Sequence, residues 1–448
     1  IAHGNIKRIK YDTDELKDKK FTIITAKDLR KGANKIGFNN EEFLVSKEVT
    51  YYGQPIAIIV ADTEREAWEI ARMVKVEYEP LQVTTSIEEA IENGKVFKGS
   101  SISQGRNVDE IFKEIENDPH SKFVILDGSV RMGGQYHFYL ETNAAVVSKS
   151  DDDYLIHSTT RDLTTARDDV AKHLGIQENH VNVNVKRLGG CFCSKLNRTS
   201  IISNATALAS QKVNCQVKMR LPRDVDTHIM SGDHSVLAKY KVAFDSSNGK
   251  IEALKIDYYV DSGYSYKNSI GMEQKILLHS DSVYNFTNFE FNGHLCQTNK
   301  ISNAHFRGFG AQNSGIATEA VFERIRHYLE DSKHDDIKRS NFYQKNDKTP
   351  YGVVLDDINI DECWSLIKEK SRYEELKRCV RAFNAISKYK KRGIAITPVK
   401  FGVGHGFAPG RRGSSVVHLL KDGTVLICHS GVEQGQGLHT KMVCVAAK

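Results

Sequence analysis

The sequence has 448 residues, more than one hydrophobic core usually serves, so about two to four domains are expected. Charged residues make up 27%, and no apolar run reaches the length of a membrane span, which excludes an integral membrane protein and indicates a soluble one. A net charge of +6, from 63 basic and 57 acidic residues, is too mild to predict nucleic-acid binding.

The first 98 residues mix strand and helix patterns. Ser86 followed by Glu89 is a capping box that opens a short helix, which Gly94 ends. The polar stretch 99–121 is predicted to be a linker with one short helix near 108–115. The other predicted elements are strands at 21–24, 56–61 and 74–78 and a helix at 63–73.

A second unit is predicted over 122–356. Gly175 should stop one of its helices, and Asn248-Gly249 is a strong signal for a hairpin turn. Its predicted strands are 123–130, 154–158, 216–221, 237–244 and 251–260, and its predicted helices are 164–174 and 200–213.

The last unit is predicted over 357–448. Asp422-Gly423 is the turn of a second hairpin, whose second strand is 424–429. Residues 357–386 are predicted to be helical and amphipathic. The residues expected to be buried on this stretch are Trp364, Ile367, Leu376, Val380 and Phe383.

Three glycine-rich loops precede predicted helices, at 187–195 (RLGGCFCSK), 305–310 (HFRGFG) and 433–437 (EQGQG). Glycines let a backbone approach a phosphate-bearing ligand closely at a helix N-terminus. None of the loops fits a nucleotide-binding fingerprint. Three such loops predict one extended ligand held from several sides, whereas each loop alone is also consistent with a tight turn and no ligand. The helix after the second loop is expected to bury one face, formed by Ile316, Ala320, Phe322, Ile325 and Leu329.

The eight cysteines contain no C-x-x-C pair, so we expect reduced thiols in a cytoplasmic protein. Only Cys191 and Cys193 lie close together, and a metal site there lacks a matching second pair. The chain begins at Ile1 rather than Met and stops within a helical pattern at Lys448. Both ends are therefore expected to be cut.

Four motifs, in this order, resemble the molybdenum-cofactor subunit of the xanthine dehydrogenase and aldehyde oxidase family. The resemblance runs from about Ile1 to Lys448 and implies an α+β fold. An α/β hammerhead domain over 1–98, incomplete at its N-terminus, would precede a molybdopterin-binding domain of mixed sheets and helices. The first part of that domain would be 122–356, and 357–448 would begin a second, C-terminally incomplete part. The motifs are 133–142 (GGQYHFYLET), 187–195, 306–310 (FRGFG) and 433–441 (EQGQGLHTK).

The resemblance implies a molybdenum hydroxylase acting on aldehydes or N-heterocycles, purines included. The metal is held by the pterin and by no side chain, so the protein positions the cofactor and shapes the electrostatics around it. Electrons would pass to 2Fe-2S and FAD domains that lie outside this chain, in a homodimer. The general-base glutamate of the family would lie beyond Lys448, so the isolated chain is expected to be inactive.

The resemblance assigns cofactor-side roles to five residues. Gln135 matches a glutamine that hydrogen-bonds a molybdenum oxo group, and a neutral amide donates there without neutralising the centre. Arg307 matches an arginine beside pterin and metal, and a buried arginine next to glycines favours an anionic ligand. Gly190 and Phe192 match the loop whose amides meet the cofactor, and Gln436 matches a pterin-binding glutamine. A sheet-edge glutamine and a capping arginine are the structural alternatives for Gln135 and Arg307.

Four positions are assigned to the substrate side. Phe309 matches one of two phenylalanines that sandwich flat substrates, with plain core packing as its alternative. His405 replaces the second phenylalanine. Leu196 stands where xanthine dehydrogenases have a substrate-binding glutamate, and Lys275 stands where they have an arginine. Purine recognition is therefore expected to be poor.

The first loop departs from the family pattern Gly-Gly-Gly-Phe-Gly-Gly-Lys-Glu, because Cys191 and Cys193 occupy glycine positions. Each adds strain of about 1–3 kcal/mol if its backbone needs glycine-only angles. Two alternatives to a working hydroxylase follow. One is a degenerate, non-catalytic homologue that keeps the fold as a binding or structural protein. The other is a metal or redox protein that uses the two thiols.

Overall fold

The computed structural model describes residues 1–11, 14–36, 41–329, 334–402 and 413–448. It mixes helices with mainly antiparallel sheets, which confirms the expected α+β class. No helix among these residues is long and apolar enough to cross a membrane.

The first 80 residues form two small antiparallel sheets and one amphipathic helix. The elements are β1 (Gly4–Lys10), β2 (Thr22–Thr25), β3 (Glu48–Val49), β4 (Ala57–Val60), α1 (Glu64–Met73) and β5 (Lys75–Pro80). The sheets have the strand orders β3-β1-β5 and β2-β4. Thr63 accepts the Glu66 amide and donates its own amide to the Glu66 carboxylate, and this capping box fixes where α1 begins.

The predicted linker at 99–121 is wrong, because most of it is regular structure. The elements here are α2 (Ile87–Glu92), β6 (Val96–Gln104), α3 (Val108–Asn117) and β7 (Phe123–Met132). β6 is an edge strand whose exposed residues from Lys98 onward are polar, so this part of the sequence has the composition of a linker. The helix predicted near 108–115 is confirmed as α3, which buries Val108, Ile111 and Phe112.

A four-stranded sheet of order β10-β9-β8-β11 follows. Its elements are β8 (Ala144–Ser150), β9 (Asp153–Ser158), α4 (Leu163–Leu174), β10 (Val181–Asn184), α5 (Ser200–Val213), β11 (Val217–Arg220) and α6 (Arg223–Ile229). Ile24, Phe43 and Ile58 from the first unit share a core with α4 and α5. The first unit therefore packs against the helices of this sheet through a common core.

The largest core covers a five-stranded sheet of order β6-β14-β13-β12-β7. The remaining elements here are β12 (Val236–Asp245), β13 (Ile251–Gly263), α7 (Ser269–Leu277), β14 (Asn288–Gln297), α8 (Ala311–Tyr328) and α9 (His334–Ser340). The hairpin turn at Gly249 is confirmed, with a φ of 72°. On α8 the predicted face is wrong at Ile316, which is 49% exposed. The core contacts instead repeat every four residues through Ala317, Val321 and Ile325.

The last unit contains α10 (Ile360–Lys370), α11 (Tyr373–Ile386), β15 (Ser415–Leu419), β16 (Val425–His429) and α12 (Leu438–Ala446). The hairpin at Asp422-Gly423 is confirmed. Trp364 is buried against Phe342, but Ile367 and Leu376 are 48% and 42% exposed, against prediction. The apolar face of α10 and α11 therefore extends beyond the part that the other described residues cover.

Candidate functional site

The three glycine loops are neighbours joined by main-chain hydrogen bonds. The Arg307 amide donates to the Phe192 carbonyl at 3.1 Å, and the Leu188 amide donates to the Glu433 carbonyl at 2.9 Å. The first loop therefore lies between the second and the third. Each of the three is followed by a helix, α5, α8 or α12, as the sequence predicts.

The fourth motif, 133–142, joins the same cluster. Nε2 of His137 lies 2.8 Å from the main-chain oxygen of His305, at the second loop. The Glu141 amide donates to the Gly189 carbonyl at 3.2 Å, and the Gly189 amide donates to Glu141 Oε2 at 2.9 Å. Four segments that are distant in sequence thus form one site.

The first loop has an unusual backbone. Gly190, Phe192, Cys193 and Lys195 all have left-handed φ angles, of 92°, 50°, 73° and 50°. Three of these residues carry a side chain, which makes the conformation costly. At Gly190 the left-handed φ favours glycine, and a Cβ there would also make a tight contact, 3.2 Å from the Cβ of Tyr139.

Of the two cysteines, only Cys193 occupies a glycine-like conformation. The strain expected at Cys191 is not found, because its φ is not left-handed. Cys191 is buried, and its Sγ donates to the Ser194 carbonyl at 2.9 Å. Burial raises the pKa of the Cys191 thiol to about 11, which disfavours a metal-binding thiolate. Within the described ranges, no three or more His, Cys, Asp or Glu side chains are arranged to hold a metal ion.

An ion pair between a buried lysine and a partly exposed carboxylate supports the first loop, and sequence reasoning missed it. Nζ of Lys195 lies 2.7 Å from Glu141 Oε2 and 4.6 Å from the centre of the Tyr139 ring. The Lys195 side chain is fully buried, and this burial lowers its pKa. The partners are 54 residues apart, so no local pattern could have paired them.

The cofactor-side residues face solvent. Arg307 was expected to be buried but is exposed, and its guanidinium has no hydrogen-bond or ion-pair partner among the described residues. Gln135 is exposed too. Gln436 is exposed, but its side-chain amide turns back, donating to the Val432 carbonyl at 3.0 Å and accepting from the Gln434 amide at 2.6 Å.

The third loop has free space around Gly435 and Gly437. The Glu433 carboxylate accepts the amides of His439, Gly435 and Gly437 at 3.1, 2.9 and 3.0 Å, and these bonds lower its pKa to about 2. A Cβ at Gly435 or Gly437 would meet no atom within 4 Å. The Glu433 carboxylate thus occupies these amides, so the third loop offers space for close approach rather than free N–H donors. The exposed Arg307 guanidinium, which has no partner among the described residues, is the group that fits an anionic ligand.

Leu196, which the resemblance assigns to the substrate side, lines a small cleft that is partly open to solvent. Cys193, Met230, Asn268 and His305 line the same cleft, together with the cationic side chains of Lys195 and Arg198. Among the described residues its lining contains no carboxylate. Leu196 therefore borders a cleft that reaches both the first loop and the start of the second.

Phe309 adjoins His305, and Lys275 lies further along α7. The Phe309 ring, half buried, meets the His305 ring edge-on at 4.0 Å and lies against α7 at Gly271. Lys275 is one helical turn further along α7, where burial lowers its pKa, and its ammonium lies 5.0 Å from the centre of the Phe401 ring. Leu196 and His305 thus line one cleft and Phe309 adjoins His305, whereas the Lys275 ammonium is directed to Phe401. His405 lies outside the described residues.

Comparisons with known proteins identify the domains of this chain. Models described as "Molybdopterin cofactor-binding domain" match residues 89–342 and 366–448. The "Aldehyde oxidase and xanthine dehydrogenase, a/b hammerhead domain" matches 1–82. The chain is 34% identical to xanthine dehydrogenase/oxidase of Gallus gallus and 36% identical to aldehyde oxidase 1 of Oryctolagus cuniculus, each over 429 residues. Each alignment covers 95% of this chain but 31% of the relative, so the chain spans about a third of their length.

Solved structures share the fold. The aldehyde oxidoreductase of Desulfovibrio desulfuricans superimposes with a TM-score of 0.81 at 22% identity, over 95% of this chain and 48% of that one. Quinoline 2-oxidoreductase from Pseudomonas putida 86 gives 0.81 at 20% identity, over 100% and 59%. Relatives of this kind are molybdenum-containing oxidoreductases. The chain belongs to the xanthine dehydrogenase and aldehyde oxidase family and carries its hammerhead and molybdopterin-binding domains.

Proposed function

We propose that this chain is the molybdopterin-binding part of a molybdenum hydroxylase that oxidises aldehydes or apolar N-heterocycles. The observation that carries the proposal is the hydrogen-bonded cluster of three glycine loops, the second of which carries the exposed Arg307, whose guanidinium has no partner among the described residues. When bound, the molybdenum cofactor supplies the hydroxylation and redox chemistry. The chain supplies the binding site and its electrostatics.

The proposed cofactor contacts divide by chemistry. The Arg307 guanidinium offers charge-assisted hydrogen bonds to an anionic part of the pterin. The main chain at Gly190 and Phe192 and the open glycines of the third loop offer close approach. Gln135 offers an amide donor on the metal side. Gln436 has to release the Val432 carbonyl before its amide can hydrogen-bond a pterin.

The lining of the cleft supports the choice of substrate. No carboxylate lines the described part of the cleft to pair with a purine, and Leu196 and Met230 are apolar positions in an otherwise largely polar lining. Each polar purine atom left unpaired on burial costs about 1–3 kcal/mol. An aldehyde or an apolar heterocycle avoids that cost, and Phe309 can stack on a flat ring.

The proposal also covers the parts of the full-length enzyme that lie outside this chain. Electrons would leave through 2Fe-2S and FAD domains outside this chain, a role supported by the fact that the chain spans 31% of its relatives. A homodimer and a cytoplasmic location belong to the same proposal, and the eight free cysteines suit a reducing compartment.

Cys193 favours one alternative, a non-catalytic homologue, because its left-handed backbone strains a cofactor loop. Metal and pterin analysis of the purified full-length protein distinguishes the two. About one molybdenum and one pterin per chain, with turnover of an aromatic aldehyde, supports the hydroxylase. A folded full-length protein without either supports the non-catalytic homologue. Zinc or iron bound in a Cys191- and Cys193-dependent manner would favour the thiol-based metal protein instead.

A further inference from the structure

One carboxylate joins the two ends of the first glycine loop. Glu141 Oε2 accepts the Gly189 amide at 2.9 Å, where the loop starts, and the Lys195 ammonium at 2.7 Å, where it ends. The Glu141 amide also donates to the Gly189 carbonyl. We call these three residues, Glu141, Gly189 and Lys195, the loop clasp.

The loop clasp encloses the strained part of the loop. Phe192 and Cys193 have left-handed backbones between its two ends, and Lys195 itself is left-handed. Such conformations persist only where the surrounding structure over-determines them. A hydrogen bond at one end and an ion pair at the other supply that constraint.

The clasp rests on a rigid support. The Lys195 ammonium lies over the Tyr139 ring, and the Tyr139 hydroxyl donates to Asp226 Oδ2 at 2.8 Å. Asn143 donates to the same hydroxyl at 2.8 Å and to Asp226 Oδ1 at 2.7 Å. A fully buried lysine that meets a carboxylate on such a base has little freedom to move.

We propose that Glu141 and Lys195 are positioning residues, which hold the first glycine loop in the left-handed conformation that presents its main chain to the cofactor. The cofactor part of this inference rests on the proposed function. The claim about the loop conformation concerns the protein alone. Amide hydrogen exchange therefore tests the loop conformation, and pterin content tests cofactor binding.

The test uses the full-length protein and the variants Glu141→Gln and Glu141→Gln with Lys195→Met. The single variant leaves a buried charge unpaired and should lower the melting temperature, whereas the double variant removes both charges and should recover most of it. Amide hydrogen exchange of a peptide spanning 186–199 should be several-fold faster in both variants. Pterin content should fall several-fold in both.

The matched control is the buried pair Lys338–Glu319 between α8 and α9, whose Nζ and Oε2 lie 2.5 Å apart. Glu319→Gln with Lys338→Met should leave exchange at 186–199 and pterin content unchanged. If the double clasp variant does not fold, Glu141→Asp replaces it, because it keeps the charge but shortens the reach, and faster exchange is again expected.

Wild-type exchange at 186–199 in a folded clasp variant would overturn the inference. The inference would also be overturned if pterin content fell in proportion to melting temperature in the clasp variants and in the control variant alike. A wild-type protein without pterin would refute the proposed function instead, and the exchange measurement would still decide the role of the clasp.

Discussion

Cys193 carries backbone strain that glycine would not. Its φ of 73° penalises any residue with a Cβ. Cys193→Gly should raise the free energy of unfolding by about 1 kcal/mol and increase molybdenum content, whereas Cys193→Ala should give much less. Urea unfolding and metal analysis of the full-length protein measure both effects. An equal gain from alanine would instead identify thiol bulk or oxidation as the obstacle.

Cys191 is the matched control, because it is buried, outside the left-handed region and bonded through Sγ to Ser194. Cys191→Gly removes that bond and loosens the backbone, so it should lower the free energy of unfolding by about 1–2 kcal/mol. A stabilising effect at Cys191 would contradict the assignment of strain to Cys193 rather than to Cys191.

His279 should make stability fall in mild acid. Burial, with Lys275 and Lys400 nearby, lowers its pKa to about 4, and the neutral ring accepts the Gly402 amide at Nε2. The unfolded chain therefore binds a proton between pH about 6.5 and about 4 that the folded chain does not, so stability is lost as the pH falls through that window. Between pH 7 and pH 5 the loss should be about 1–2 kcal/mol, and His279→Gln should remove that part of the slope in urea titrations.

At the scale of elements, patterns that depend on local chemistry were predictable from the sequence. Helix α5 was predicted at 200–213 and has those bounds, and Asn248-Gly249 does form its hairpin turn. Patterns that depend on a distant part of the chain could not be predicted from the sequence. The edge strand β6 reads as a linker, since only its pairing with β14 identifies it, and Ile316 has the right spacing but lies off the buried face of α8.

The same distinction holds within the site. The glycine loops were recognisable because each is contiguous, but Lys195–Glu141 joins residues 54 apart, and the exposure of Arg307 is set by the loops around it. Spacing in the sequence therefore identifies candidate residues of a site, whereas their burial and their bonding partners depend on the folded chain.

At the scale of the whole molecule, one buried network ties the first unit to the site. The Arg198 guanidinium, beside the first loop, donates to Glu41 Oε2 at 2.7 Å and to the Tyr51 hydroxyl at 2.8 Å. Glu41→Gln leaves the Arg198 charge poorly compensated and should cost about 3–5 kcal/mol of unfolding free energy. Glu41→Gln with Arg198→Met should cost clearly less, and equal costs would show that the charges do not interact strongly.

Substrate preference should follow the cleft and its neighbours on α7. The complete protein should turn over an aromatic aldehyde faster than xanthine, because Leu196 and Lys275 do not provide the opposed charges that fix a purine. Leu196→Glu with Lys275→Arg should shift the ratio of kcat/KM toward xanthine by about tenfold or more, the equivalent of one recovered hydrogen bond. An unmodified protein that already prefers xanthine would contradict this account.

The bonds that join the glycine loops, from Arg307 to Phe192 and from Leu188 to Glu433, use main-chain atoms only. Side-chain replacement does not remove them, so the loops can exchange residues over evolutionary time and still assemble against each other. Because these bonds do not depend on side chains, the residues of the site can change while the loops keep their arrangement. Under the proposed function, substitutions such as those at 191, 193 and 196 would alter which molecule is held and how tightly, while the main-chain bonds between the loops remain.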